Sequence, residues 1–127
     1  MKYFIYLFVI TFAMMGCESK EPVTIQNFDT SVWKTDKNAC KNQRKKIFEE
    51  LNKEKKKLEG LSQMQVVALL GKPDRVMLEG RSQRIFYYFL EAGAQCNTTN
   101  KNEYAKEGKK LKLRFSATDR LVEFFQE

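Results

Sequence analysis

The segment LEGLSQMQVVALLGKPD, residues 58–74, contains the clearest helix start and stop signals in the chain. Ser62 and Gln65 have the spacing of a capping box, in which each side chain binds the backbone N–H of the other residue. Gly71 is placed to end the helix in a left-handed conformation, and Pro73 prevents its continuation. The residues between these signals are apolar nearly all round, which predicts burial on most sides. Because so short a helix is marginal alone, we expect it to pack between another helix and a sheet.

A longer helix is predicted before this segment, over residues 37–59, with Thr35 or Asp36 as its N-cap. Its apolar positions form one narrow stripe on an otherwise charged surface, and they are Cys40, Ile47, Phe48, Leu51 and Leu58. Upstream, residues 28–35 contain Trp33 without a helical repeat. We expect this segment to lie across the domain as a latch.

The region after the short helix has the patterns of β-strands. RIFYYFL, residues 84–90, is apolar or aromatic on both faces, and residues 75–78 form a second candidate strand. KLKLRF, residues 110–115, places Lys and Arg outward and Leu and Phe inward, and a hairpin then leads to a last strand from residue 121. Two helices followed by an antiparallel meander predict an α+β fold, a two-layer sandwich with two helices on a three- to four-stranded antiparallel sheet, ααβββ, in residues 36–127.

The N-terminus has the features of a secreted lipoprotein. Lys2 precedes an apolar run that is too short to span a bilayer as a mature helix. The run ends in Met14-Met15-Gly16-Cys17, which resembles a bacterial lipobox with Met14 where Leu is usual. We therefore expect residues 1–16 to be a signal peptide, Cys17 to carry lipid such as palmitate, and residues 17–35 to form a tether and the Trp33 segment. An ordinary secretory signal and an uncleaved anchor are the alternatives.

Cys40 and Cys96 remain once Cys17 is assigned to lipid. An even pair of cysteines in an oxidising compartment predicts a disulfide between them. Two buried free thiols are the alternative. The pair is not a C-x-x-C motif, and the chain has no His that would complete a zinc site, so we expect no metal and no cofactor.

Taken together, these patterns resemble the SmpA/OmlA (BamE) lipoprotein family. The resemblance rests on GLSxxQVxxLLGxP at residues 60–73, the aromatic strand ending near Tyr88, and the hairpin KLRFSATDRLVEF at residues 112–124. It implies an ααβββ fold on the periplasmic side of the outer membrane, and a role as an accessory of the β-barrel assembly machinery. The residue 60–73 pattern also recurs in secreted enzyme inhibitors of the same two-helix architecture.

The residue types favour binding over catalysis. The chain has no His, so the usual proton shuttle is absent, and Glu49, Glu50 and Glu54 lie among lysines as expected for solvated ion pairs. We predict a non-catalytic, membrane-anchored accessory that binds a protein in the envelope. The alternative is a ligand-binding or enzyme-inhibitory module of the same fold. We expect no nucleic-acid partner outside the cytoplasm, despite a formal net charge of +7.

Two surfaces are candidates for binding. Eight Lys or Arg and three Glu lie between residues 41 and 57, and they form either a solvated helix face or a site for anionic lipid headgroups or an acidic partner. The second candidate is the outward side of the sheet, where an aromatic residue beside cations has the composition of a protein interface. Its predicted partner-binding residues are Tyr87, Lys110, Lys112 and Arg114. One alternate set of residues 84–90 must also lie there, either covered by the Trp33 segment or exposed as an aromatic patch.

Overall fold

The computed structural model describes residues 21–97 and 106–127. In these ranges the chain forms three α-helices, α1 (Thr30–Thr35), α2 (Gln43–Lys53) and α3 (Gln63–Leu70). The same ranges contain four strands, β1 (Arg75–Glu79), β2 (Gln83–Phe89), β3 (Lys110–Phe115) and β4 (Leu121–Gln126). The strands form one antiparallel sheet in the order β1-β2-β3-β4. The predicted α+β fold is therefore confirmed, whereas the signal peptide and Cys17 lie outside the described residues.

The core lies between the helices and one face of the sheet, here called the inner face. Strand alternation turns Phe86 and Tyr88 of β2 toward the helices, together with the odd-numbered residues of β3. The helical layer contributes Trp33, Phe48, Leu51, Val66, Leu69 and Leu70 to the same buried cluster. The opposite face of the sheet, here called the outer face, carries the alternate residues of each strand.

Helix α3 begins with the predicted capping box and ends at the predicted residue, but Gly71 does not have the predicted left-handed helical conformation. Ser62 Oγ accepts a hydrogen bond from the Gln65 N–H at 3.2 Å, and Gln65 Oε1 accepts one from the Ser62 N–H at 2.9 Å. Gly71 ends the helix at φ +77° and ψ −177°, so its φ is positive but it lies outside the left-handed helical region, in a region reserved for glycine. The prediction that α3 is buried on most sides was wrong, because Met64 is 82% exposed on the side away from the core.

The prediction of one helix over residues 37–59 was wrong. A 3₁₀ turn at Lys37–Ala39 and another at Lys55–Leu58 flank α2, and Asn38 and Asn42 both have φ +56°, which a right-handed helix does not allow. Asp36 is nevertheless a capping residue. Its carboxylate accepts hydrogen bonds from the backbone N–H groups of Lys41, Gln43 and Arg44, so it caps α2 across the turn.

The Trp33 segment is helical and belongs to the core, which corrects its predicted role as a latch. Asp29 caps α1 by accepting hydrogen bonds from the Ser31 and Val32 N–H groups. Trp33 is fully buried, with its ring 5.4 Å from the Phe28 ring and 6.1 Å from the Tyr88 ring. Because Tyr88 points into the core, Trp33 lies on the inner side of the sheet. The packed core therefore starts N-terminal to residue 36.

Candidate functional site

The four predicted partner-binding residues lie together on the outer face. Tyr87 of β2 is directly opposite Lys112 of β3 in the antiparallel register, and the neighbouring pair is Phe89 with Lys110. Paired residues point to the same face of a sheet, so the alternation in KLKLRF also brings Arg114 there. Lys110 Nζ lies 5.0 Å from the centre of the Tyr87 ring, within the range of a cation–π contact.

The aromatic residues of the outer face are covered by the long side chains of neighbouring strands. Tyr87 is only 7% exposed, and Ile85 and Phe89 are also buried. The Arg75 guanidinium lies 5.5 Å from the centre of the Phe89 ring, as Lys110 lies over Tyr87. Arg and Lys often bury their aliphatic stems in this way while the charge stays in solvent. Both predicted alternatives were wrong, since the Trp33 segment is on the other side of the sheet and the aromatic rings are not an open patch.

Each cation of the outer face is paired with a carboxylate of this chain. Arg114 Nε lies 2.6 Å from Glu123 Oε2 on β4, and Arg114 Nη1 donates to Gln83 Oε1 at 3.1 Å. Lys110 and Lys112 each lie 3.7 Å from a carboxylate oxygen of Glu127. The hydrogen bond with Arg114 lowers the pKa of Glu123 below its ordinary value. The face is therefore ordered and nearly balanced in charge.

Two apolar side chains remain accessible on this face. Phe125 of β4 pairs with Lys112 and is 54% exposed, while Met77 of β1 pairs with Ile85 and is 48% exposed. Neither residue was among the predicted site residues. The position of Phe125 could have been predicted from the alternation of the last strand. A residue that pairs with Lys112 on the neighbouring strand must lie on the same face as Lys112. Phe125 is therefore the best-exposed aromatic side chain among the described residues of the outer face.

A buried ion pair, which the sequence did not predict, joins the helices to the sheet. Arg44 is 1% exposed, and its Nη1 donates to Asp74 Oδ2 and to the Phe89 carbonyl, the latter at 3.2 Å. Its Nε donates to the Trp33 carbonyl at 2.9 Å, and Asp74 also accepts from the Phe89 N–H at 2.8 Å. Burial raises the pKa of the neighbouring Tyr88. This network positions α1, α2 and the end of β2. The Arg44 guanidinium and the Asp74 carboxylate are both hydrogen-bonded within the fold.

Cys40 and Cys96 form a disulfide in the structure, with their Cα atoms 5.6 Å apart. The bond ties the turn before α2 to a 3₁₀ turn that follows β2. Gln95 Nε2 donates to the Asn38 carbonyl at 3.1 Å and to the Glu91 carbonyl at 2.8 Å, so hydrogen bonds hold the same two segments together. The bridge closes the end of the sandwich away from the β3–β4 hairpin.

Residues 21–97 and 106–127 contain two grooves but no cluster of metal ligands. In those ranges no group of three or more His, Cys, Asp or Glu side chains is placed to hold a metal ion. A groove of about 400 Å³ lies between the N-terminal segment and α3, lined in part by Val23, Thr30 and Ala68, and one of about 230 Å³ lies beside Lys45 and Glu91. Neither groove contains a predicted partner-binding residue. No described helix is both long and apolar enough to cross a membrane.

Comparisons with known proteins do not assign a family. A scan against protein-family models, a search of curated proteins and a search of solved structures each found no significant match.

Proposed function

We propose that this protein is a lipid-anchored, non-catalytic accessory of the cell envelope that binds a protein and acts in outer-membrane protein assembly, as its resemblance to the SmpA/OmlA (BamE) family implies. The observation that carries the proposal is the outer face of the sheet. The helices pack on the inner face, so the outer face presents an ordered set of ion pairs beside accessible Phe125 and Met77. The lipobox-like Met15-Gly16-Cys17 supports an anchor at the outer membrane, facing the periplasm.

The order of the outer face favours binding to a folded protein surface. The ion pairs with Glu123 and Glu127 hold Arg114 and Lys112 in place before a partner arrives, so little side-chain entropy is lost on association. An exposed aromatic residue surrounded by such polar groups has the form of an interface anchor with a polar rim. Phe125 would be that anchor, and Lys112 and Arg114 would select the partner through their charges.

The basic segment around α2 supports a position close to a membrane. Lys41, Lys46, Lys55, Lys56 and Lys57 are exposed. Each exposed cation near an anionic surface adds on the order of 1 kcal/mol of attraction. A lipid on Cys17 would keep these lysines within reach of anionic headgroups. In this proposal they orient the domain on the membrane, and the outer face of the sheet binds the protein partner.

Chemical crosslinking in native envelopes followed by pull-down and mass spectrometry tests the proposed function. We expect the full-length protein to recover subunits of the β-barrel assembly machinery. Recovery of a single secreted enzyme, or of a small envelope molecule, would contradict the assembly role and support the ligand-binding or inhibitory alternative.

A Cys17→Ala variant tests the anchor separately, by metabolic labelling with a palmitate analogue. We expect the variant to lose the label and to remain as an unprocessed precursor. Labelling equal to that of the unmodified protein would contradict lipidation at Cys17. The matched control is Cys40→Ser, which should keep the label.

A further inference from the structure

Strand β1 is an edge strand with an exposed apolar centre. All five of its residues are exposed, including Val76, Met77 and Leu78, and Leu78 is 75% exposed. Over residues 21–97 and 106–127, the backbone hydrogen bonds of β1 go to β2 alone. Natural edge strands are commonly blunted by charged side chains, Pro or a bulge. In β1 the charges are confined to the two ends, Arg75 and Glu79, its centre is apolar, and its register with β2 is regular.

The other edge of the sheet differs. The pairing of β3 with β4 shifts register next to Phe115, as at a β-bulge. In addition, the Leu121 N–H donates to the Leu61 carbonyl at 2.8 Å, and the Leu121 carbonyl accepts from the Gly60 N–H at 2.9 Å. The start of β4 is therefore already occupied by the segment before α3. Over residues 21–97 and 106–127, β1 has no comparable cover at any point along its length.

The sequence of β1 is complementary to itself in the antiparallel direction. When RVMLE is laid against a second copy about Met77, Arg75 of each copy meets Glu79 of the other, Val76 meets Leu78, and Met77 meets Met77. The faces also agree, because Arg75, Met77 and Glu79 lie on the outer face and Val76 and Leu78 on the inner one. Opposite charges directly across two strands are favourable and like charges are not.

We propose that two copies of this protein dimerise by pairing their β1 strands antiparallel about Met77, which joins two four-stranded sheets into one of eight strands. The contact is isologous, so it closes on itself and does not extend into a fibre. Within the described residues Glu79 has no ion-pair partner of its own. Arg75 binds Glu107 at 2.7 Å, and its five-donor guanidinium has room for a second carboxylate.

The apolar side chains near β1 add to this contact. Met64 and Val67 are exposed on α3, on the same side of the sheet as Val76 and Leu78. Arg84, which pairs with Leu78, reaches Gln63 at the start of α3, so this helix begins close to the edge of the sheet. One short strand with these neighbours makes a small interface, and we expect a weak dimer that a covalent trap detects best. This inference does not rest on the proposed function.

A Met77→Cys variant of the full-length protein tests the dimer. Residues directly opposite in an antiparallel pair have Cα atoms about 4.5–5.5 Å apart, which is within disulfide reach. We expect a disulfide-linked dimer on a non-reducing gel after mild oxidation in the envelope. The matched control is Val122→Cys on β4, which is exposed to a similar degree and should give no more dimer than the unmodified chain. Equal trapping of both variants, or none of Met77→Cys, would overturn the proposal.

Charge reversal tests the register. Adding Glu79→Arg to Met77→Cys places like charges opposite each other at two symmetric positions, and we expect dimerisation to weaken about tenfold. Adding Arg75→Glu as well should restore the disulfide-linked fraction. Glu79→Gln, in place of the charge reversals, should lower that fraction by an intermediate amount, which keeps the test valid if the double reversal folds poorly. Circular dichroism checks each fold. The pairing is not the one proposed if Glu79→Arg leaves the disulfide-linked fraction unchanged. The same conclusion follows if Met77→Cys forms its disulfide with a different protein.

Discussion

Arg44 is one of eight cations in a basic stretch of the sequence, yet it is the one that is buried among aromatic rings. Its guanidinium carbon lies 5.1 Å from the centre of the Trp33 ring and 5.8 Å from that of Tyr88. A buried charge is tolerated when it is paired and hydrogen-bonded, and Asp74 supplies the countercharge. The pair therefore fixes how the helical layer sits on the sheet.

Replacing Arg44 with Met should destabilise the fold strongly, because it leaves the buried Asp74 carboxylate without its cation. We expect a loss of about 3–5 kcal/mol in the free energy of unfolding, measured by urea denaturation. Lys45→Met is the matched control. Its exposed pair with Glu91 should be worth no more than about 1 kcal/mol. Equal losses for the two variants would show that the buried pair does not organise the core.

Replacing Gly71 with Val should also destabilise the fold, for a backbone reason. Gly71 has φ +77°, and a Cβ there would lie 2.9 Å from Lys34 Cγ. We expect a cost of about 1–3 kcal/mol, seen as a lower thermal midpoint. Gly80→Val is the control, because no heavy atom lies within 4 Å of its added Cβ and its φ is not positive. An unchanged midpoint for Gly71→Val would mean that α3 does not need this glycine to end.

At the scale of elements, the sequence predicts the strands better than the helices. Strict alternation in residues 110–115 sets both the strand and its two faces. Helix α1 has six residues, too few to show a periodicity. The start of α2 was missed because a carboxylate such as Asp36 gives the same signal whether it caps the next residue or reaches across a turn.

The composition of the outer face was partly predictable. Alternation places Lys110, Lys112 and Arg114 on one face, but it does not say which carboxylate each will meet. That depends on the register through the β3–β4 hairpin, and the shift beside Phe115 changes it locally. Burial of Tyr87 was not predictable either, because its cover comes from side chains of the neighbouring strands, such as Lys110.

Removing the Cys40–Cys96 disulfide should weaken the link between the turn before α2 and the loop after β2. The two residues are 56 positions apart, and closing a loop of that length stabilises a fold by about 4 kcal/mol in the chain-entropy model. A Cys40→Ser/Cys96→Ser variant should lose stability of that order in urea. Thiol counting on the denatured, unreduced protein should find neither cysteine free. Two free thiols at these positions would contradict the bridge.

At the scale of the whole molecule, stability should fall in acid and stay level around neutral pH. Hydrogen bonds with Lys45, Arg75 and Arg114 lower the pKa values of Glu91, Glu107 and Glu123, respectively, below the ordinary value of 4.5. The unfolded chain then binds more protons below that value, so stability rises with pH there.

We therefore expect the urea concentration at the unfolding midpoint to be highest and constant above pH 4.5. It should decrease as the pH falls through the lowered pKa values of these three glutamates. With no His in the chain, the described side chains provide no histidine step between pH 5 and 8. Glu123→Gln should make the decrease of the urea midpoint in acid smaller. A midpoint that stays constant down to pH 3 would contradict the role assigned to these pairs.

The central claim is that the outer face of the sheet binds the partner, and quantitative capture by matched variants tests it most directly. Lys112→Glu/Phe125→Ala reverses one charge and truncates one exposed apolar side chain on this face. Lys46→Glu/Val122→Ala makes the same kinds of change at exposed positions on α2 and at the β4 edge.

Both variants should fold as the unmodified protein does by circular dichroism. Loss of an aromatic anchor typically costs 2 kcal/mol or more, which is over tenfold in affinity, so we expect the first variant to recover less than about one tenth of the crosslinked partner. The second should recover a normal amount. Normal recovery by the first variant would contradict the account. Loss with the second alone would place the site on the basic segment around α2 or at the β4 edge, which the two single variants would then distinguish.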